Sequence, residues 1–197
     1  LEAWQGGTSQ AATPGERKIA FVFSGQGSQW LGMGRSLLQN SPVFRAAIEA
    51  CDRALREHVD WSLLEQLAAE PEQSRLEEIS VIQPTLFAVQ AALAAVWRAS
   101  GVEPQAVIGH SMGEVAAAYV AGALTLEEAA QVICVRSRLM QEISGQGAML
   151  VVDLPLDAAQ AAASPHPGVS AAVSNSRRST VLSGDPTALD ELLATLE

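Results

Sequence analysis

The chain is short of cysteine, tyrosine, histidine and positive charge. Its 197 residues include two cysteines, one tyrosine, three histidines, and 12 lysines and arginines against 22 acidic residues. Cys51 and Cys134 both fall in apolar helical patterns, so they are expected as small buried hydrophobes in a reducing compartment, not as a disulfide or redox pair. The shortage of cations leaves a formal charge of -10 at pH 7. A surface of that sign does not draw nucleic acid or an anionic membrane towards it, so any anionic ligand has to be met by local cations. No apolar run reaches about 18 residues and no basic-then-apolar leader opens the chain, so neither a membrane span nor a signal peptide is expected. A cytoplasmic protein without a metal site is the consequent expectation.

What is present suits a compact fold, since 48% of the residues are apolar. Residues 1–16, "LEAWQGGTSQAATPGE", have no periodicity and read as an interdomain linker. From 17 to 145 the order is strand, helices, strand, helix, helix, which predicts an α/β layer with a parallel sheet. Ile19 to Phe23 is a strand-length apolar run expected to be buried, followed by the Gly-rich "SGQGSQW". Ser41 and Pro42 open a helix whose buried face is Phe44, Ile48, Cys51 and Leu55. Gln83 to Ser100 reads as a core helix stopped by Gly101, and Thr125 with Glu128 as a capping box. Residues 146–197 follow a β-α-β-β-α order, with Asp185 and Pro186 starting a last helix striped by Leu189, Leu192, Leu193 and Leu196. That order is a ferredoxin-like unit lacking one strand, so the chain is expected to be part of a longer polypeptide.

Chemistry concentrates in "AVIGHSMGEVAAAYVAG", residues 106–122. Gly109, Ser111 and Gly113 form G-x-S-x-G between a predicted strand and a predicted helix, the setting of a nucleophile elbow. Ser111 is then a nucleophile, with the Met112 N–H as an oxyanion donor; the plainer reading is a strand-to-helix turn with a serine cap. In "SGQGSQ", Gln26 stands between two glycines at a strand's carboxyl end, where its side chain or N–H would serve as a second oxyanion donor. The loop is otherwise an ordinary glycine turn. Leu126, Ala129, Ile133, Arg136, Met140 and Ile143 share one helical face, so Arg136 is a cation in an apolar stripe and needs an anion. Glu114 on the preceding helix and a substrate carboxylate are both candidates, the latter fitting the guanidinium fork. None of the histidines suits a catalytic base: His110 points away from the turn, His58 ends a helix, and His166 lies between two prolines.

Taken together, "FVFSGQGSQWLGMG", "IQPTLFAVQ", "GHSMGEVAAAYVAGAL" and "VRSRLMQ" resemble the acyltransferase domain of type I modular polyketide synthases, a family related to malonyl-CoA:acyl-carrier-protein transacylases. The resemblance runs from Lys18 to the end of the chain. It implies an α/β-hydrolase-like large subdomain, a ferredoxin-like small one, and a site in the cleft between them. It also implies Ser111 as the acylated nucleophile, Gln26 and Met112 as the oxyanion hole, Arg136 as a clamp on the extender carboxylate, and Gln83 and Asn175 near the site. The implied reaction moves malonyl or methylmalonyl, with a slight preference for the latter, from CoA to serine. The phosphopantetheine thiol of an acyl carrier protein then receives it, beside an adjacent ketosynthase domain and with no bound cofactor. Arg177 and Arg178 would be cations for such anionic partners. The family's catalytic histidine is expected beyond residue 197. A serine hydrolase or thioesterase, or an inert fragment, are the alternatives.

Overall fold

A computed structural model describes residues 18–196. The chain divides into two compact units between Arg138 and Leu139, inside a helix and ahead of the Gly145 boundary that the sequence suggests.

In the first unit β1 (Ala20–Phe23) and β2 (Ala106–Gly109) pair in parallel, Ala20 opposite Ala106 and Phe23 opposite Gly109. A parallel pair needs a long crossover, and four helices provide it: α1 (Arg35–Asn40), α2 (Pro42–Leu55), α3 (Leu63–Ala68) and α4 (Ile79–Ala99). Ser41 Oγ accepts from the Phe44 N–H, and Pro42 sits in the first turn, so α2 begins where its cap residues require. Phe44, Ile48, Cys51 and Leu55 are all buried, as their spacing predicts.

The helix α4 starts earlier than Gln83. Burial of Val81 and Ile82 draws an extra turn into the helix and places Pro84 inside it, where only one backbone bond is forfeited. By length and composition α4 is apolar enough to cross a membrane, with a mean hydropathy of 1.7, but 67% of that stretch is buried within the fold. Gly101, at φ 82°, ends it in the left-handed region that glycine tolerates.

The expectation of a buried first strand is corrected by the structure. Phe23 is buried, but Val22 is 70% exposed and its register partner Ile108 is 56% exposed. The helices α2, α4, α5 (Gly113–Val120) and α6 (Leu126–Glu142) pack around Phe44, Phe87, Met112, Ala116 and Ile133, which lie to one side of the strand pair. The opposite side of the pair is open among the described residues.

The second unit holds β3 (Ala148–Val152), α7 (Leu156–Ala163), β4 (Val169–Ser176), β5 (Ser179–Gly184) and α8 (Pro186–Leu196). Its strands form an antiparallel sheet in the order β3-β5-β4. Val152, Ala159, Ala163, Leu182, Leu189 and Leu192 make its core. Asp185 Oδ1 caps α8 through the Ala188 N–H. Leu193 and Leu196, expected on the same buried stripe, are exposed, because this small core accommodates only the Leu189 and Leu192 side of α8.

Candidate active site

The turn between β2 and α5 is held by close backbone packing. Ser111 has φ 55°, the one positive φ at a non-glycine residue among the described residues. L side chains avoid that region because Cβ crowds the backbone, so the conformation has to be imposed by its surroundings. Both flanking glycines impose it. A Cβ at Gly109 would collide with the Glu114 backbone, and one at Gly113 with the carbonyl of Phe23 at the end of β1. Glycine at both positions lets α5 start directly against the strand ends, and Ser111 stays exposed at the apex. Gly25 belongs to the same arrangement, since a Cβ there would lie 3.4 Å from Ser111 Cβ and 3.1 Å from His110 Nδ1. The loop after β1 therefore lies directly on the elbow. The backbone N–H groups of Gln26 and Met112 make no hydrogen bond among the described residues, which suits an oxyanion-donor role.

Arg136 reaches this turn from α6. The stripe it belongs to is buried at Ala129 and Ile133 and opens towards Ile143, so the guanidinium is half-buried at the edge of the core. Its Nη2 donates to Ser111 Oγ at 3.0 Å, and its Nη1 donates to Gln83 Oε1. Gln83 Nε2 in turn donates to Gln26 Oε1 at 3.1 Å. The structure thus joins Ser111, Arg136, Gln83 and Gln26 in one hydrogen-bonded chain. Arg136 has no carboxylate partner among the described residues, so the Glu114 pairing does not form. Glu114 is exposed on α5 instead.

Arg136 is also the only side-chain partner of Ser111 Oγ among the described residues, and an arginine can only donate. No base touches the serine there. His166 lies 4.0 Å from Glu191 in the second unit, while the His58 N–H closes a turn onto Leu55. Asn175 is exposed on β4 of the second unit. Arg178 is already paired, at 3.0 Å with Asp153, and Arg177 is exposed beside it. No group of three or more His, Cys, Asp or Glu suited to a metal ion occurs among the described residues.

Sequence reading missed one residue near the site. Gln90 lies two turns after Gln83 on the same side of α4, and its Nε2 donates to the carbonyl of Ser24 at 2.8 Å. The two glutamines thereby hold both ends of Ser24–Gly25–Gln26. The available signal was two amides, seven residues apart, in an otherwise apolar core helix, since polar groups in such places need partners.

Comparison with known proteins shows the family of the chain. A family model described as "Acyl transferase domain" matches residues 20–197. The polyketide synthase GfsA of Streptomyces halstedii is 51% identical over 96% of this chain, which spans 3% of that protein. Among solved structures, a loading acyltransferase from the avermectin modular polyketide synthase superposes with a TM-score of 0.83 at 45% identity, covering 90% of this chain and 57% of that one. The malonyl-CoA:ACP transacylase of Synechocystis sp. PCC 6803 does so with a TM-score of 0.77 at 32% identity, covering 90% of this chain and 58% of that one. The chain therefore spans a small fraction of its curated relative and a little over half of these two structures.

Proposed function

This chain belongs to the acyl transferase domain family, and from that premise we propose that it carries the nucleophile half of an extender-loading site in a polyketide synthase. In the first transfer Ser111 Oγ attacks the thioester carbonyl of malonyl-CoA or methylmalonyl-CoA. The C–O bond forms, the serine proton passes to a base, the C–S bond breaks, and CoA leaves as its thiol. In the second, the phosphopantetheine thiol of an acyl carrier protein attacks the acyl-serine and Ser111 regains its proton. The N–H groups of Met112 and Gln26 receive the oxyanion of each tetrahedral intermediate. The base in this reading is a histidine outside these residues, and Asn175 is assigned to the site by the family resemblance alone. No bound cofactor takes part.

The observation that carries the proposal is the Arg136 guanidinium, 3.0 Å from Ser111 Oγ and without a carboxylate partner among the described residues. An uncompensated cation beside a nucleophile suits an acyl group that ends in a carboxylate, which it would bind through two parallel N–H bonds. A hydrolase acting on plain esters has no use for it. In the same reading the first unit is the α/β-hydrolase-like subdomain and the second is the ferredoxin-like one, while residues 1–16, expected as a linker, lie outside the described residues.

Intact mass spectrometry of the full-length protein with malonyl-CoA, methylmalonyl-CoA and a carrier protein tests the proposal. An adduct on Ser111 that moves to the carrier thiol is expected. Prompt release as free acid would favour hydrolysis, and the absence of any adduct would mean an inert site.

A further inference from the structure

Resting on this acyl-transfer reading, we infer that Gln83 is a positioning residue that sets the hydrogen-bond polarity of the site. One end of its amide holds Arg136 at Ser111, and the other end turns the Gln26 amide so that its NH2 faces outward.

The inference follows from which groups can donate. Arginine has five N–H donors and no acceptor, so the atom of Gln83 that meets it must be the oxygen. The opposite end of the Gln83 amide is then NH2, which needs an acceptor and finds it in Gln26 Oε1. That leaves Gln26 Nε2 as the free end of an exposed side chain, with no hydrogen bond among the described residues. A single cation on α6 thus dictates, through two amides, that the loop after β1 offers a donor. Both the thioester oxygen and the extender carboxylate accept hydrogen bonds, so a donor is the useful polarity there.

Gln83 itself is only 2% exposed, so it acts through Arg136 and Gln26 and not on substrate. Only a neutral amide meets both demands. A carboxylate at this position would fill the guanidinium fork that an incoming acid group needs. It would also present oxygen to Gln26, whose amide would then reverse and put its oxygen outward. An apolar side chain would leave both neighbours unsupported but would reverse nothing.

The test compares Gln83→Glu with Gln83→Met in the full-length protein. It measures kcat and KM for transfer from malonyl-CoA to the carrier, with thermal midpoints to confirm folding. Gln83→Glu, the closer match in shape, is expected to lose about 100-fold in kcat/KM with KM raised, whereas Gln83→Met loses about tenfold, mostly in kcat. If Gln83→Glu transfers as well as or better than Gln83→Met, the residue merely fills space and the inference is overturned. Gln26→Glu gives a second reading at an exposed position where folding is not at risk. It keeps the acceptor for Gln83 Nε2 but replaces the outward NH2 by oxygen, so transfer must fall below that of Gln26→Met; equal or higher transfer overturns the inference. If unaltered protein takes no acyl group on Ser111, the acyl-transfer reading fails and this inference falls with it. Normal acylation of the unaltered protein combined with an active Gln83→Glu removes the inference alone.

Discussion

Ser111 combines an exposed hydroxyl with a backbone conformation that its own Cβ resists. The cost of a left-handed conformation for an L residue is about 1 kcal/mol, and glycine escapes it. Ser111→Gly and Ser111→Ala both remove the hydroxyl and its bond to Arg136, so the difference between them isolates the strain. Urea denaturation should find the glycine variant more stable than the alanine variant by about 1 kcal/mol, with neither able to take an acyl group. Equal stabilities would mean that the turn imposes no strain. At Arg136 the expected outcome concerns selectivity: Arg136→Ala should lose kcat/KM for malonyl-CoA at least about 100-fold more than for acetyl-CoA, since only the former has a carboxylate to lose. Equal losses would assign the arginine to fold maintenance. The two residues differ in how far they were legible. Helical spacing placed Arg136 on an apolar face, but spacing fixes direction and not reach. It therefore offered Glu114 as readily as a ligand, and gave no hint that Ser111 and Gln83 would be the partners.

Helix starts were legible at Ser41, Thr125 and Asp185, where a side chain supplies the terminal hydrogen bond, though the Ser62 cap that opens α3 went unread. In the Thr125–Glu128 box the Thr125 N–H donates to Glu128 Oε2 at 2.8 Å, and the Glu128 N–H donates to Thr125 Oγ1 at 3.2 Å. Thr125→Ala should cost about 1 kcal/mol, readable as a lowered denaturation midpoint. A change under a few tenths would mean that water replaces the cap. The start of α4 misled for the opposite reason. Glu78 offers no side-chain cap, and a proline after a glutamine resembles a first turn, whereas tertiary burial of Val81 and Ile82 decides where the helix begins. The strand β1 misled because an unbroken apolar run states that burial is wanted, not which faces obtain it.

For the molecule, the scarcity of thiols gives a measurable pH response. Burial pushes the Cys51 and Cys134 thiols up to about 12, and burial likewise raises the Tyr119 phenol. An acid with a raised pKa keeps its proton in the fold and releases it on unfolding. Stability is thus unaffected below the ordinary thiol pKa of about 8.5 and is lost as pH rises from there towards 12, by about 1.4 kcal/mol per pH unit per thiol. All these groups lie before Arg138. Tryptophan fluorescence, whose emitters all lie there too, should report a denaturation midpoint that drops above pH 9. Replacing both cysteines by alanine should flatten the drop, and an unchanged slope would reassign the response to other groups.

The glycine contact between the elbow and the end of β1 bears on substrate approach. With no room for even a methyl group between Gly113 and the Phe23 carbonyl, the turn that carries Ser111 is packed directly on the tip of β1, and any side chain at Gly113 has to push the two apart. In the acyl-transfer reading a long, bulky thioester then meets a close-packed backbone beneath Ser111, with Arg136 already in place to receive its carboxylate.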